Sequence, residues 1–152
     1  MNVNPADLRR FLDKWQETLR LTEWDIDLRL VKMPWRKSGD IKIDRDDRKA
    51  VLLVNAENPR QQNAEALIVH ELLHLKLWPL DQMIEELLNA VYGREEADPR
   101  REFAFTQFMT ALESTVEDLA KGYMALGGED GTVSFGRLER EVWAEIGGEG
   151  EG

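Results

Sequence analysis

At 152 residues the chain is long enough to bury a core within one domain, and its 42% hydrophobic and 33% charged content is that of an ordinary globular protein. With 30 acidic against 20 basic residues the net charge is −10, and the most basic stretch, "WRKSGDIKIDRDDRK", interleaves its cations with Asp40, Asp44, Asp46 and Asp47, so nucleic acid is not expected as a partner. The absence of cysteine excludes disulfides and thiolate metal sites and fits a reducing, cytoplasmic setting.

The opening "MNVNPADLRR" carries no apolar signal segment, and the longest uncharged run, Phe103 to Leu112, is too short to cross a bilayer, so no membrane association is expected. Asn4 and Pro5 read as a helix N-cap and first position, and Leu8, Phe11, Leu12, Trp15 and Leu19 follow at helical spacing, predicting a helix over residues 5 to 20. Trp24, Ile26, Leu28 and Leu30 then alternate with charged residues, as in a half-buried strand. Ile41 and Ile43 suggest a second strand after the break "MPWRKSGD", where Trp35 is expected either exposed as a partner contact or folded back on the core. "AVLLVN", residues 50 to 55, predicts a third strand covered on both faces.

Asn58 and Pro59 resemble another helix start, and the helix that follows should run to about Trp78, where Pro79 ends it. Leu80, Ile84, Leu87, Leu88 and Val91 mark a further helix closing near Gly93. The longest helix begins at Asp98 and Pro99, presents Phe105, Met109, Leu112, Val116, Leu119 and Tyr123 as its buried stripe, and stops at Gly127 and Gly128. A short helix is expected around Leu138, Val142 and Ile146. The expected organisation is one domain over residues 1–146 with a disordered tail, residues 147–152, ending "GGEGEG".

Both histidines of the chain lie in "EALIVHELLHLKLWP". His70 and His74 are four apart, hence one above the other on a helix face, where two imidazole nitrogens can hold one Zn²⁺. Glu71 sits beside them, placed to take a proton from water whose pKa zinc lowers to about 7, which is the HExxH arrangement of zinc peptidases. Apolar residues surround this helix, with Glu65 and Lys76 as its only solvated strip; buried imidazoles and a buried acid are costly without a partner such as a metal.

A catalytic zinc needs a third protein ligand, and with no cysteine and no further histidine it must be Asp or Glu. Measured from the buried stripe of the long helix, Glu113 falls at about 80°, Glu117 at about 120° and Asp118 on the far side. Glu113 is therefore the expected ligand, with Glu117 as outer partner of a ligating histidine or alternative ligand. Glu102 has a similar angle but lies three turns earlier.

"HELLH" followed by a helix with a ligand Glu resembles the gluzincin branch of the zinc metallopeptidases. Glu113, Val116, Leu119 and Ala120 are similar to the E-x-x-A-x-x-F-A signature of ImmA/IrrE-type peptidases, small cytoplasmic proteins often associated with phages and mobile elements, with Val116 in place of the usual alanine. The order of helix, three strands, HExxH helix and Glu helix also resembles the minimal gluzincins, over roughly residues 24 to 124. The resemblance implies an α+β, zincin-like domain with a small three-stranded sheet packed against the HExxH helix and a long helix carrying the ligand. It further implies hydrolysis of a protein or peptide substrate, with zinc on His70, His74 and Glu113 and with Glu71 as general base. In zincins a strand such as Val51 to Val54 often edges the cleft, and some minimal gluzincins are held inactive by their flanking segments, a role residues 129 to 146 could fill here. No oxyanion-stabilising residue stands out, since Tyr123 belongs to the core stripe and the other tyrosine is Tyr92. The competing expectation is a non-catalytic, zinc-binding regulatory or peptide-binding protein of zincin fold.

Overall fold

Asn4 accepts a hydrogen bond from the Ala6 amide and Pro5 follows it, so the chain enters helix α1 (Pro5–Thr18) where the sequence predicts. This is a computed structural model, and it describes residues 4–95 and 98–147. Three strands follow α1: β1 (Asp25–Val31), β2 (Gly39–Asp44) and β3 (Lys49–Asn55). They form one mixed sheet in the order β1-β3-β2, with β3 parallel to β1 and antiparallel to β2.

β3 is thus hydrogen-bonded on both sides, and Ala50, Leu52 and Val54 are buried on one of its faces, while Val51 and Leu53 on the other are half-buried, so the expected cover on both faces is met only in part. β3 has no free edge. The expectation that Val51 to Val54 border the cleft is therefore corrected: β2 is an edge strand, and β2 lines the cleft. Gly39 lets β2 come close to the helix layer, because a Cβ there would lie 2.8 Å from Leu67 Cδ1 and 3.1 Å from the Leu53 carbonyl oxygen.

Helix α2 (Ala64–Lys76) carries both histidines. It lies between the sheet on one side and α4 (Pro99–Gly127) on the other, with α1 also packed against it. Leu67, Ile68, Val69, Leu72, Leu73 and Leu75 are all buried in these contacts. Asn63, not Asn58, caps α2 by accepting from the Ala66 amide. Asn58 is committed elsewhere: its side-chain oxygen accepts from the Trp35 amide and from Asn55 Nδ2. Buried Asn55 also donates to the Trp35 and Lys37 carbonyls, so the Trp35 loop is folded back onto the chain. Pro79 does not end α2, which stops at Lys76; it opens α3 (Trp78–Tyr92) instead.

Two apolar faces read from periodicity differ in the structure. On α3 only Leu88 is buried, and Leu80, Met83, Leu87 and Val91 are exposed. On α4 the buried residues are Leu112, Val116 and Ala120, while Phe105 and Leu119 are partly exposed. Ala120 rather than Leu119 faces the core, so at about 100° per residue the centre of the buried stripe lies roughly 20° nearer Glu113 and Glu117 than the sequence predicts. The short helix α5 (Glu139–Ile146) forms as expected but buries none of its residues. Among the described residues the molecule is an α+β protein of five helices and one three-stranded sheet, and no helix is long and apolar enough to cross a membrane. Of the expected tail, Gly147 caps α5, and residues 148–152 lie outside the described residues.

Glu65 overturns the expectation of a solvated strip beside Lys76. Its side chain is fully buried, and each oxygen accepts two hydrogen bonds. Lys14 Nζ and Trp15 Nε1 reach one at 2.8 and 2.7 Å, and the amides of Glu129 and Asp130 reach the other at 2.8 Å each. A buried carboxylate is tolerable when so fully paired. Through it, the segment after α4 is tied to the first turn of α2.

Candidate metal centre

α2 and α4 each present two polar residues at i, i+4 spacing toward one another: His70 and His74 from α2, Glu113 and Glu117 from α4. The two Nε2 atoms stand 3.3 Å apart. Glu113 completes a triangle, with Oε2 at 3.4 Å from His70 Nε2 and Oε1 at 3.1 Å from His74 Nε2. These three residues form a group able to hold a metal ion, all ligand atoms lying within 4.8 Å of one another.

The donor set can be tested against an ion. Four-coordinate zinc with bonds of about 2.0–2.1 Å and tetrahedral angles sets neighbouring donors about 3.3 Å apart. The two imidazole Nε2 atoms stand at that separation, and one Glu113 oxygen lies 3.4 Å from His70 Nε2 while the other lies 3.1 Å from His74 Nε2, close to it. Two imidazoles and one carboxylate also suit a borderline cation such as zinc better than Ca²⁺ or Mg²⁺, which take oxygen ligands. The residues present could hold a metal ion.

Glu117 lies one turn beyond Glu113 and meets the other side of the same imidazole, its Oε1 at 3.4 Å from His70 Nδ1. It stands outside the triangle. Arg137 Nη2 donates to the same Oε1 at 2.6 Å, bringing a residue from far along the chain to the edge of the centre. Glu102 joins neither pair and is exposed.

Glu71 follows His70 on α2 and borders the same cleft. It is buried, and it accepts no hydrogen bond from the described residues. Burial raises its pKa above the ordinary value; the charges of His70 and His74 oppose the shift, and those of Asp40 and Glu113 add to it. Glu113 behaves oppositely: hydrogen bonds with His70 and then His74 hold it far below the usual carboxylate range. Burial works against a charged His74, yet its hydrogen bond with Glu113 and the charges of Glu113, Glu71 and Asp81 raise its pKa. One cluster thus holds an acid whose proton is firmly lost and another whose proton is retained to higher pH.

The cleft over this cluster has a volume of about 520 Å³. Gly39, Ile41 and Ile43 of β2 form one wall, Glu113, Glu117, Lys121 and Met124 of α4 the opposite one, and Trp78 and Asp81 of α3 one end. Neither tyrosine lines it: Tyr123 packs edge-on against Trp15, with ring centroids 6.1 Å apart, and Tyr92 lies under Arg100. Of the segment expected over the cleft, residues 129 to 146, only Arg137 reaches the lining. The remainder as far as Gly136 runs along the start of α2, and α5 stands clear of the cleft. Sequence reasoning missed Arg137, because no local pattern ties an arginine beside a short helix to a carboxylate on α4.

Compared with known protein families, with curated proteins and with solved structures, the chain has no significant match.

Proposed function

We propose that the protein is a zinc-dependent metallopeptidase of the zincin class, with His70, His74 and Glu113 as zinc ligands and Glu71 as general base. One observation carries the reading: the His70 and His74 Nε2 atoms and the Glu113 carboxylate converge at zinc-like separations, and the next residue along α2 is a buried, proton-retentive Glu71. The HExxH spacing and the following Glu helix, which resemble those of gluzincins, support the same conclusion.

A zinc ion held there supplies a Lewis acid that polarises a carbonyl and lowers the pKa of water to about 7. Glu71 accepts the proton of the attacking water and delivers it to the leaving amine. A raised pKa suits both halves of that task, since the carboxylate is a stronger base and its acid form persists closer to neutral pH. Glu117 faces His70 Nδ1 at 3.4 Å, which favours a proton on that nitrogen and leaves Nε2 to the metal. β2 has a free edge on the cleft, where an extended peptide adds through main-chain hydrogen bonds and so presents its scissile carbonyl to Glu71.

The test is Glu71→Gln, which preserves size but cannot accept a proton. Zinc should stay bound while cleavage of a broad peptide library falls by about 10²–10⁴-fold. Cleavage that survives in the variant would refute this mechanism. A wild-type protein that binds zinc yet cleaves nothing in the library would favour the non-catalytic, zinc-binding regulatory reading.

A further inference from the structure

The residues after α4 form a strap that is anchored at four successive points to the first turn of α2 and to the loop that leads into it. Glu65 accepts the amides of Glu129 and Asp130. Asn63 caps α2 with its oxygen, and its Nδ2 donates to the carbonyls of Asp130 and Thr132, both at 3.0 Å. Ser134 Oγ donates to the Arg60 carbonyl at 3.0 Å and accepts the Gln62 amide at 2.9 Å. Gly136 then passes so close to Arg60 that a Cβ would fall on the Arg60 carbonyl oxygen. Each anchor is specific, and together they fix the backbone immediately before Arg137.

From that position Arg137 spans to α4 and donates to Glu117 at 2.6 Å, and the same Glu117 oxygen lies 3.4 Å from His70 Nδ1. We infer that Arg137 is a positioning residue of the metal centre: it fixes the Glu117 carboxylate, which in turn orients the His70 ring. This rests on the metal-centre reading and deepens it. The strap then belongs to the site rather than covering it.

The physical reason lies in the choice of tautomer. Neutral imidazole carries its proton on one nitrogen, and only a His70 with the proton on Nδ1 offers an Nε2 lone pair to a metal. A carboxylate facing Nδ1 selects that tautomer. Glu117 sits on a helix surface with its side chain about a quarter exposed, and without Arg137 it has other rotamers open toward solvent. The pair adds little to overall stability, because Arg137 is 64% exposed and solvent screens an exposed ion pair. Its effect should therefore appear in metal affinity rather than in folding.

The experiment measures zinc affinity by chelator competition on the full chain, for wild type, Arg137→Ala, Arg137→Lys, Glu117→Gln and the Arg137→Ala/Glu117→Gln double variant, with the melting temperature of each metal-free protein. Outer partners of metal ligands typically contribute about 10–100-fold, so a residue acting through one should contribute about 3–10-fold. We expect Arg137→Ala to weaken zinc binding by that factor, Arg137→Lys to restore most of it, and Arg137→Ala to change nothing further once Glu117 is Gln. The metal-free melting temperatures of the Arg137 variants should match wild type. Unchanged affinity in Arg137→Ala, an undiminished loss in the Glu117→Gln background, or a loss that follows a lowered metal-free melting temperature would each overturn the role of Arg137. A wild-type protein that takes up no zinc would instead overturn the metal centre, and this inference with it.

Discussion

Replacing Glu65 by Gln keeps the shape of the side chain and removes one acceptor oxygen from a fully buried site. Each carboxylate oxygen now accepts two hydrogen bonds, one from Lys14 and Trp15, the other from the Glu129 and Asp130 amides. A carboxamide serves one pair and turns its own N–H groups toward the other, so two charge-assisted bonds are lost whichever way it is oriented. At about 1.5–3 kcal/mol per bond to a charged group, the variant should be destabilised by about 3–6 kcal/mol. Lys14 retains Glu129 and the Gly127 carbonyl, which favours the lower half of that range. With a urea slope of about 2 kcal/mol/M, the unfolding midpoint should fall by about 2 M at neutral pH. Burial works against the Glu65 charge, but Lys14, the Asp130 amide, Trp15 and the Glu129 amide together lower its pKa. A depressed carboxylate stabilises the fold at pH above its unfolded value and loses that contribution as pH falls through the folded value. The gap between wild type and Glu65→Gln should therefore be full above the ordinary value of 4.5 and narrow below it. Urea unfolding followed by tryptophan fluorescence at pH 7 and at pH 3.5 measures both effects. A midpoint shift equivalent to less than about 0.5 kcal/mol at pH 7 would mean that Glu65 is hydrated and the strap undocked, and would refute the reasoning.

Ending the chain at Gly128 removes the Glu129 and Asp130 amides from Glu65 together with Arg137, so the truncated protein should be less stable and bind zinc more weakly than full length; a truncated form that gains activity at undiminished stability would show instead that the segment is a removable cover. Metal uptake requires neutral imidazoles, and the pKa of His74 is raised by Glu113, Glu71 and Asp81 against the opposing effect of burial. Zinc affinity measured by competition should therefore be full above that pKa and fall as pH drops through it, starting above the ordinary 6.5 and by up to about tenfold per pH unit for each proton displaced. An affinity that is flat from pH 8 to pH 6 would contradict the shift.

Local chemistry made much of this molecule readable. Asn4–Pro5 and Asp98–Pro99 start their helices, and Gly93 and Gly128 follow the ends of theirs, because caps act within a turn of their own residues. The His70–Glu71–His74 spacing needed only a helix, and the nearness of Glu113 to both histidines needed only an angle. The rest depended on contacts distant in sequence. Ile41 and Ile43 mark β2 and an unbroken apolar run marks β3, but neither pattern says which strand meets the cleft, and the pairing order makes β2 the edge that does. The apolar residues of α3 recur as in a buried stripe, yet periodicity cannot say whether another element covers them. Glu65 looks like an ordinary acid in the first turn of a helix; its burial follows from Lys14, Trp15 and the 129–130 amides, each 50 or more residues away.

Metal analysis of the purified chain tests most directly whether His70, His74 and Glu113 form a zinc site. Wild type should carry one zinc per chain, His74→Ala none, and Glu113→Ala much less than wild type at the same free zinc concentration. Glu117→Ala should be the milder lesion, within the roughly 10–100-fold loss typical of an outer partner. Zinc lost with Glu117→Ala but kept with Glu113→Ala would reverse the two carboxylates. Wild type that stays metal-free after reconstitution, or His74→Ala that binds zinc as wild type does, would contradict the account.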